Sequence, residues 1–577
     1  MNHLRGPGPN GHGGTLVLDS YAPRRRWVAT FAVVAAMALV VSSCSSSDNK
    51  KATGTKATTP SGEGTPKRGG SLVYGLEAET LGGWCPQSAQ LAAGGIQVAS
   101  AIYDTLTAPN DKGEYVPYLA KSVDHNADYT QWTIVLRDGI QFHNGEPFNA
   151  DAVKMNLDGY LSGILFGLVF ADVNSVTVTG PMSVQITTRV PWVALPAFLW
   201  STGRLGMAAP AQIRDKANCA SNLIGTGPFM KKEWTPNDKF VAVRNPNYWQ
   251  KDENGVQLPY LDEITFRPQP DVSQLVNGLK GGQFDLIHLT DGKSIDLLRK
   301  EVKSGTLKMT ESTRSAEISH TMLNNSKPPF DNINARLAVI YATNADELNR
   351  VHEASVNKLA KQPYAPETLG YQADPGWPKF DLAKAKDYVA KYKQETGKDL
   401  SFDLATTPDP ATQALAATAK SQLAKAGISV NIPTATEQSQ YINQAIAGNY
   451  QAILWRNFPG GDPDTLYVWW HSKAWNKDTK AFDKPNLVNF GRINDPEIDK
   501  ALEAGRSETD PAKRRADYQA IGKRFAEGGY NVWTWYTTWG FASKTDVNGV
   551  EGPKLPNGDK RGLPIASVQP VVGLWRG

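Results

Sequence analysis

Few residues of this 577-residue chain stand where chemistry would need them. No G-x-x-x-x-G-K-[ST] loop is present, which excludes a phosphate cradle of the P-loop type. There is no G-x-S-x-G elbow and no H-E-x-x-H; the nearest string, His352-Glu353, has no second histidine. Beyond His3 and His12, the histidines are His125, His143, His288, His320, His352 and His471. No two of them lie three or four apart, so no local metal site is expected, although a site assembled from distant segments would leave no such trace. His143, between a strand and a turn, reads as structural. The acid pairs Asp462/Asp464 and Glu77/Glu79 are of a kind common by chance and are not read as catalytic dyads. Neither a cofactor nor a resident metal is expected.

Aromatic surface stands out instead, with 16 Trp, 20 Tyr and 18 Phe. Many cluster between Trp455 and Trp475, and in the run Trp533-Thr534-Trp535-Tyr536-Thr537-Thr538-Trp539. Read as one strand, that run places Trp533, Trp535, Thr537 and Trp539 on one face. It is either a bulky core strand or one wall of a ligand cleft, since flat aromatics hold extended ligands over a large area at low entropy cost.

The elements that must position such groups are clearest over 381–456. Leu382, Ala385, Val389 and Tyr392 share one helical face, and Gly397 sits just past the end. Leu400, Phe402 and Leu404 alternate as a strand. An Ala-rich helix closed by Gly427, a strand over 428–432, a helix ending at Gly448 and a strand over 450–455 follow. Strand–helix–strand–helix–strand is the sign of an α/β layer, and in open α/β sheets ligands collect beyond the carboxyl ends of strands. Trp455-Arg456-Asn457 lies at such an end, before the Gly/Pro-rich loop 458–463. An aromatic plate, a cation and an amide are thereby expected at a binding cleft. Elsewhere, Trp132, Ile134 and Leu136 alternate as a half-buried strand, and Asn149 reads as the cap of a helix with Asp151 in its first turn. Hairpins are expected at 176–186 and 229–244.

Composition and the N-terminus fix the class and the compartment. The chain is 40% hydrophobic and 20% charged, as in a folded globular protein of about three or four units. Lys plus Arg is 61 and Asp plus Glu is 57, a net +4 with no basic stripe, so no nucleic-acid partner is expected. Arg24-Arg25-Arg26, an apolar run over 31–41 and Ser42-Ser43-Cys44 make a secretory signal, too short to span a bilayer. The small residues ending in Cys44 are similar to a bacterial lipobox, whose Cys is acylated; a plain signal peptide with an incidental Cys is the alternative. Residues 45–68 are Ser, Thr, Gly, Pro and Lys, a flexible tether. With Cys44 lipidated, Cys85 and Cys219 remain in an oxidising compartment and are expected to pair, the alternative being two buried free thiols.

Several stretches resemble the family-5 extracellular solute-binding proteins, the oligopeptide, dipeptide and nickel receptors of ABC importers. They are the lipobox; Gly69-Gly70-Ser71-Leu72; IYDTLT at 102–107; and PYLAKSV…DYTQWTIVLRDGIQFHNGEPFNADAVK at 117–154. They continue with GTGPF at 225–229, RNPNYW at 244–249, PYLDEITF at 259–266, GGQFDL at 281–286, KPPFDNINARLAVIYATN at 327–344 and LAKAGISV at 423–430. The resemblance covers essentially all of 69–550. It implies an α/β, type II periplasmic-binding-protein-like fold with two lobes and a small inserted third domain, closing on its ligand by a hinge. The expected division is a signal region over 1–43, a lipidated tether over 44–68, lobe I over 69–104, 206–325 and 530–577, an inserted domain over 105–205, and lobe II over 326–529.

It also implies a monomer without catalytic activity, lipid-anchored on the periplasmic side of the cell membrane, that captures a peptide or peptide-like solute for an ABC permease and its ATPase. A nickel chelate or an oligosaccharide is the alternative cargo on the same fold, and an extracytoplasmic hydrolase a more distant one. Peptide receptors of the family carry W-x-x-D-x-x-[DE]-P, whose first Asp receives the peptide α-amino group. Here Trp455 and Asp462-Pro463 match, but the string is one residue longer and Pro459 stands three before Asp462. Free α-amine recognition is therefore expected to be weak, with Asp462 either contacting ligand or fixing its own loop. The residues expected in the cleft are Trp84, Trp455, Arg456, Asn457, Asp462, Trp535 and Tyr536.

Overall fold

The computed structural model describes residues 64–577, apart from 80–82, 87, 90, 164–165, 458–459, 477–478 and 480. The expectations for the signal region, for Cys44 and for Pro459, and that for the tether before residue 64, lie outside these residues.

Lobe I is built on the strand Ser71–Leu76, which buries Leu72, Tyr74 and Leu76 and lies parallel to Glu263–Pro268 on one side and Leu286–Leu289 on the other. These are central strands of a seven-stranded sheet in the order Leu307–Ser312, Trp539–Lys544, Leu286–Leu289, Ser71–Leu76, Glu263–Pro268, Lys239–Arg244 and Phe229–Thr235. Buried on both faces, such strands read as apolar runs. The helix Val272–Lys280 connects two of them, and the helix Gly292–Lys303 starts where Leu286–Leu289 ends, capped by Asp291.

Lobe II has a six-stranded sheet in the order Lys358–Leu359, Asn531–Tyr536, Ile318–Leu323, Ala452–Asn457, Ser401–Ala405 and Ser429–Asn431. The helices between follow from local signals. Leu382–Thr396 is capped by Asp381 and stops at Gly397, whose φ of 69° is the left-handed conformation glycine adopts without penalty. The inserted domain is a four-stranded antiparallel sheet over 120–188, with the helix Ala150–Ser162 started by the Asn149 side chain, which accepts from the Ala152 N–H at 3.0 Å. A disulfide joins Cys85 to Cys219 across a separation of 134 residues.

Strand pairing moves two expected boundaries. Ile318–Leu323 and Asn531–Tyr536 are neighbours in the lobe II sheet, whereas a division at 325/326 and 529/530 assigns both to lobe I. The chain crosses from lobe I to lobe II at 313–317 and returns at 537–538, where the Thr537 N–H donates to the Glu317 carbonyl at 2.8 Å. The aromatic run is therefore two strands in two sheets. Within the first, a register shift opposite Ser319/His320 breaks the alternation, so Trp533 and Tyr536 enter one core while Trp535 does not. Trp539 begins the lobe I strand.

Candidate functional site

The strand Ala452–Asn457 points its carboxyl end at lobe I, as the topology of the α/β layer leads one to expect. Its three terminal residues do not share a face. Arg456 reaches across the lobes, where Nη1 donates to Thr290 Oγ1 at 2.9 Å and Nη2 to Glu77 Oε1 at 3.4 Å. Its guanidinium also lies 3.6 Å from Glu317 Oε2 and 5.8 Å from the centre of the Trp539 ring. Trp455, on the other side of the strand, stacks on Tyr441 and meets the edge of Phe490. Asn457 is buried.

Each acid around Arg456 comes from a different element. Glu77 directly follows the strand Ser71–Leu76 of lobe I, Glu317 lies on the crossing segment, and Glu353 follows the helix Ala345–His352 of lobe II. Glu353 accepts from the Gly292 N–H at 2.8 Å, so a lobe II carboxylate caps a lobe I helix. The contact is close enough that a Cβ on Gly292 would lie 2.3 Å from the Glu353 carbonyl oxygen, which only glycine avoids. Asn357 holds the same carboxylate at 3.2 Å, and its side-chain oxygen accepts from the Thr538 N–H at 2.8 Å.

Burial dominates the electrostatics. The Glu317 carboxyl is pushed up to about 7 by burial, with Arg456 pulling it back and Glu77 adding to the rise. Glu353 is likewise raised by burial to about 7, against the pull of the Gly292 N–H. Burial alone would lower Arg456, but Glu317 and Glu77 outweigh it and raise its pKa. His288 is lowered to about 3 by burial and by Arg456, and its Nε2 accepts from the Glu77 N–H at 3.2 Å, so the ring is neutral. Among the described residues, no group of three or more His, Cys, Asp or Glu is arranged to hold a metal ion.

Of the seven residues expected in the cleft, Arg456 is the one brought against lobe I. Trp84 is not opposite it: its backbone is tied to Ala220 and its ring is buried in the lobe I core against Trp234 and Phe240, because the loop is drawn inward beside the Cys85–Cys219 bridge. Trp535 and Tyr536 are buried within the lobe II sheet, at 4% and 3% exposure. Asp462 fixes its loop, accepting from the Asp464 N–H at 2.9 Å and from Arg514 at 2.9 and 2.7 Å, which leaves it committed within the protein. Thr290, Glu317 and Glu353 were not expected at the site from the sequence, whereas Trp539 lies on the face of the aromatic run read as a core strand or a cleft wall. No local signal marks the first three; Trp539 ends a run whose period breaks.

The sequence profile described as "Bacterial extracellular solute-binding proteins, family 5 Middle" matches residues 114–478. The nickel-binding periplasmic protein of Escherichia coli strain K12 is 26% identical over 499 residues, 82% of this chain and 90% of that protein. The glutathione-binding protein GsiB of Pectobacterium atrosepticum is 25% identical over 435 residues, 73% of this chain and 80% of that protein. The fold superimposes on the ABC transporter-associated periplasmic binding protein DppA from Helicobacter pylori in complex with a peptide, with a TM-score of 0.75 and 21% identity, covering 88% of this chain and 98% of that one.

Proposed function

The chain belongs to the bacterial extracellular solute-binding proteins of family 5, with their type II periplasmic-binding fold, and from that premise we propose that it captures a peptide or peptide-like solute between its lobes for an ABC importer. The observation that carries this reading is the contact of Arg456, at the carboxyl end of a lobe II strand, with Thr290 and Glu77 of lobe I. Arg456 and the half-buried Trp455 are the side chains we assign to contact the solute. The relatives that bind glutathione and nickel set the two cargo classes to be told apart.

In this reading the protein is a monomer that binds without transforming its solute and presents it to a permease and its ATPase. It does so from a lipid anchor at Cys44 and the tether that follows. Native mass spectrometry of protein purified from its own producer tests the cargo: a co-purifying mass matching a peptide supports the reading, and a nickel chelate or sugar mass in its place defeats it. Cys44→Ala is expected to move the protein from the membrane fraction to the soluble fraction; unchanged fractionation would remove the anchor from the proposal.

A further inference from the structure

The junction around Arg456 gathers three acids from three elements. Glu77, Glu317 and Glu353 all act on Arg456, and the second guanidinium nearby, Arg204, is turned to the Leu91 carbonyl at 3.3 Å while acting on Glu317 from a distance. All three carboxylates pull on one guanidinium, that of Arg456. His288 adds no charge, since its Nε2 accepts a backbone N–H.

Glu317 is the focus of that cluster. Its side chain is 0% exposed; Oε2 accepts from Trp539 Nε1 at 3.0 Å, and Oε1 has no hydrogen-bond partner. A buried carboxylate oxygen without a donor is costly and calls for an explanation. The Trp539 ring beside it lies 5.8 Å from the Arg456 guanidinium. The contacts of Arg456 to Glu77 and Glu317 are long for an arginine–carboxylate pair, 3.4 and 3.6 Å, so Arg456 leaves these acids underused. With no three-donor metal arrangement among the described residues, an organic cation fits better than a bare ion.

Resting on the peptide reading above, we propose that the bound solute presents a cationic group, an ammonium or a guanidinium, to Glu317 and Glu77 at the junction of the lobes. The acid that recognises it is thus supplied by the crossing segment and by lobe I, while Asp462 stays with Arg514.

The test uses the full chain and two probes: an equimolar library of tri- to pentapeptides, and the same library acetylated at every amine and depleted of arginine. Native mass spectrometry and competition calorimetry are run on the unaltered protein, on Glu317→Gln and on Glu77→Gln. The free library is expected to bind roughly tenfold or more tightly than the acetylated one, the scale of a charge-assisted hydrogen bond, and each substitution is expected to shrink that ratio. Glu77 is partly exposed, so Glu77→Gln keeps the test open if Glu317→Gln fails to fold. Equal binding of both libraries overturns the cationic requirement and leaves the peptide reading standing. A preference unchanged in both variants overturns the assignment to these residues. Retention of neither library removes the peptide reading and this inference with it.

Discussion

Two arginines of lobe II carry charge to other parts of the molecule, under opposite conditions. Arg506 is sealed: its side chain is 3% exposed, and its partners Asp464 and Asp172, the latter in the inserted domain, are 0% and 1% exposed. It bonds Asp464 at 3.1 Å, lies 3.5 Å over the Tyr467 ring, and shares Asp464 with Trp192 Nε1 at 2.7 Å. Arg456 reaches lobe I with 32% of its side chain still exposed, and the nearest carboxylate oxygen is 3.4 Å away. The two differ little in chemistry and greatly in access to water. Removing one partner of a buried pair strands the other charge without solvent, at about 3–5 kcal/mol. An ion pair that water reaches contributes only about 0–1 kcal/mol. Arg506 is therefore expected to contribute to the stability of the fold, and Arg456 much less.

The contrast can be broken experimentally. Arg506→Ala is expected to cost about 3–5 kcal/mol in urea unfolding; a loss under about 1 kcal/mol would put the two sites in one class. Arg514→Ala, which frees the Asp462 carboxylate, is expected to cost about 1.5–3 kcal/mol by the same measurement, since both side chains are mostly buried. Arg456→Ala is expected to change stability by less than about 1 kcal/mol. It should also enlarge the radius of gyration of solute-free protein in small-angle scattering, because the contacts to Glu77 and Thr290 join the lobes. An unchanged radius with a large stability loss would reverse its assignment.

The smallest effect depends on pH. The folded-state pKa of Glu317, about 7, lies above its ordinary value of 4.5, so between these the folded protein holds a proton that the unfolded chain has lost. The stability it contributes falls as pH rises through that window, and the penalty is complete above it. Glu317→Gln removes the penalty. The variant is expected to gain on the unaltered protein between pH 5 and pH 8, on the order of 1 kcal/mol, in parallel thermal unfolding series. His143 and His320, both lowered to about 4 chiefly by burial, slope the other way: their stability is lost as pH falls from 6.5. They are present in both proteins and cancel in the difference, so a flat difference would count against the raised carboxyl.

The lobe II layer is legible in the sequence because its signals are local. Apolar spacing, and Gly397 and Gly448 after the helices, mark the elements without reference to distant chain. The strand end bearing Arg456 follows from the same pattern. The acids that meet Arg456 are not legible. Glu317 sits between two strands and meets Trp539 and Arg456 from distant chain, so its surroundings exist only in the fold. Glu77, noted only as a neighbour of Glu79, acquires its role from the parallel pairing that sets Ser71–Leu76 beside Leu286–Leu289. Trp84 misleads for a related reason: an aromatic beside glycines reads as exposed, while its backbone bond to Ala220 and the neighbouring disulfide draw it into the core.

Lobe II has a single doorway. It begins at the strand Ile318–Leu323 and ends at Asn531–Tyr536, which lie side by side, with Ile318 opposite Tyr536 and Glu317 bonded to Thr537. In the language of modular proteins it is a cassette whose two ends already touch. Joining those ends with a short linker adds little loop-closure entropy, and compact units of this kind tolerate excision and circular permutation better than units with distant ends. Residues 318–536 can therefore be exchanged as one piece for the corresponding span of a relative. Such a graft replaces Arg456 and Glu353 together while leaving Glu77, Thr290 and Glu317 in place, so the two sides of the junction between the lobes can be varied separately.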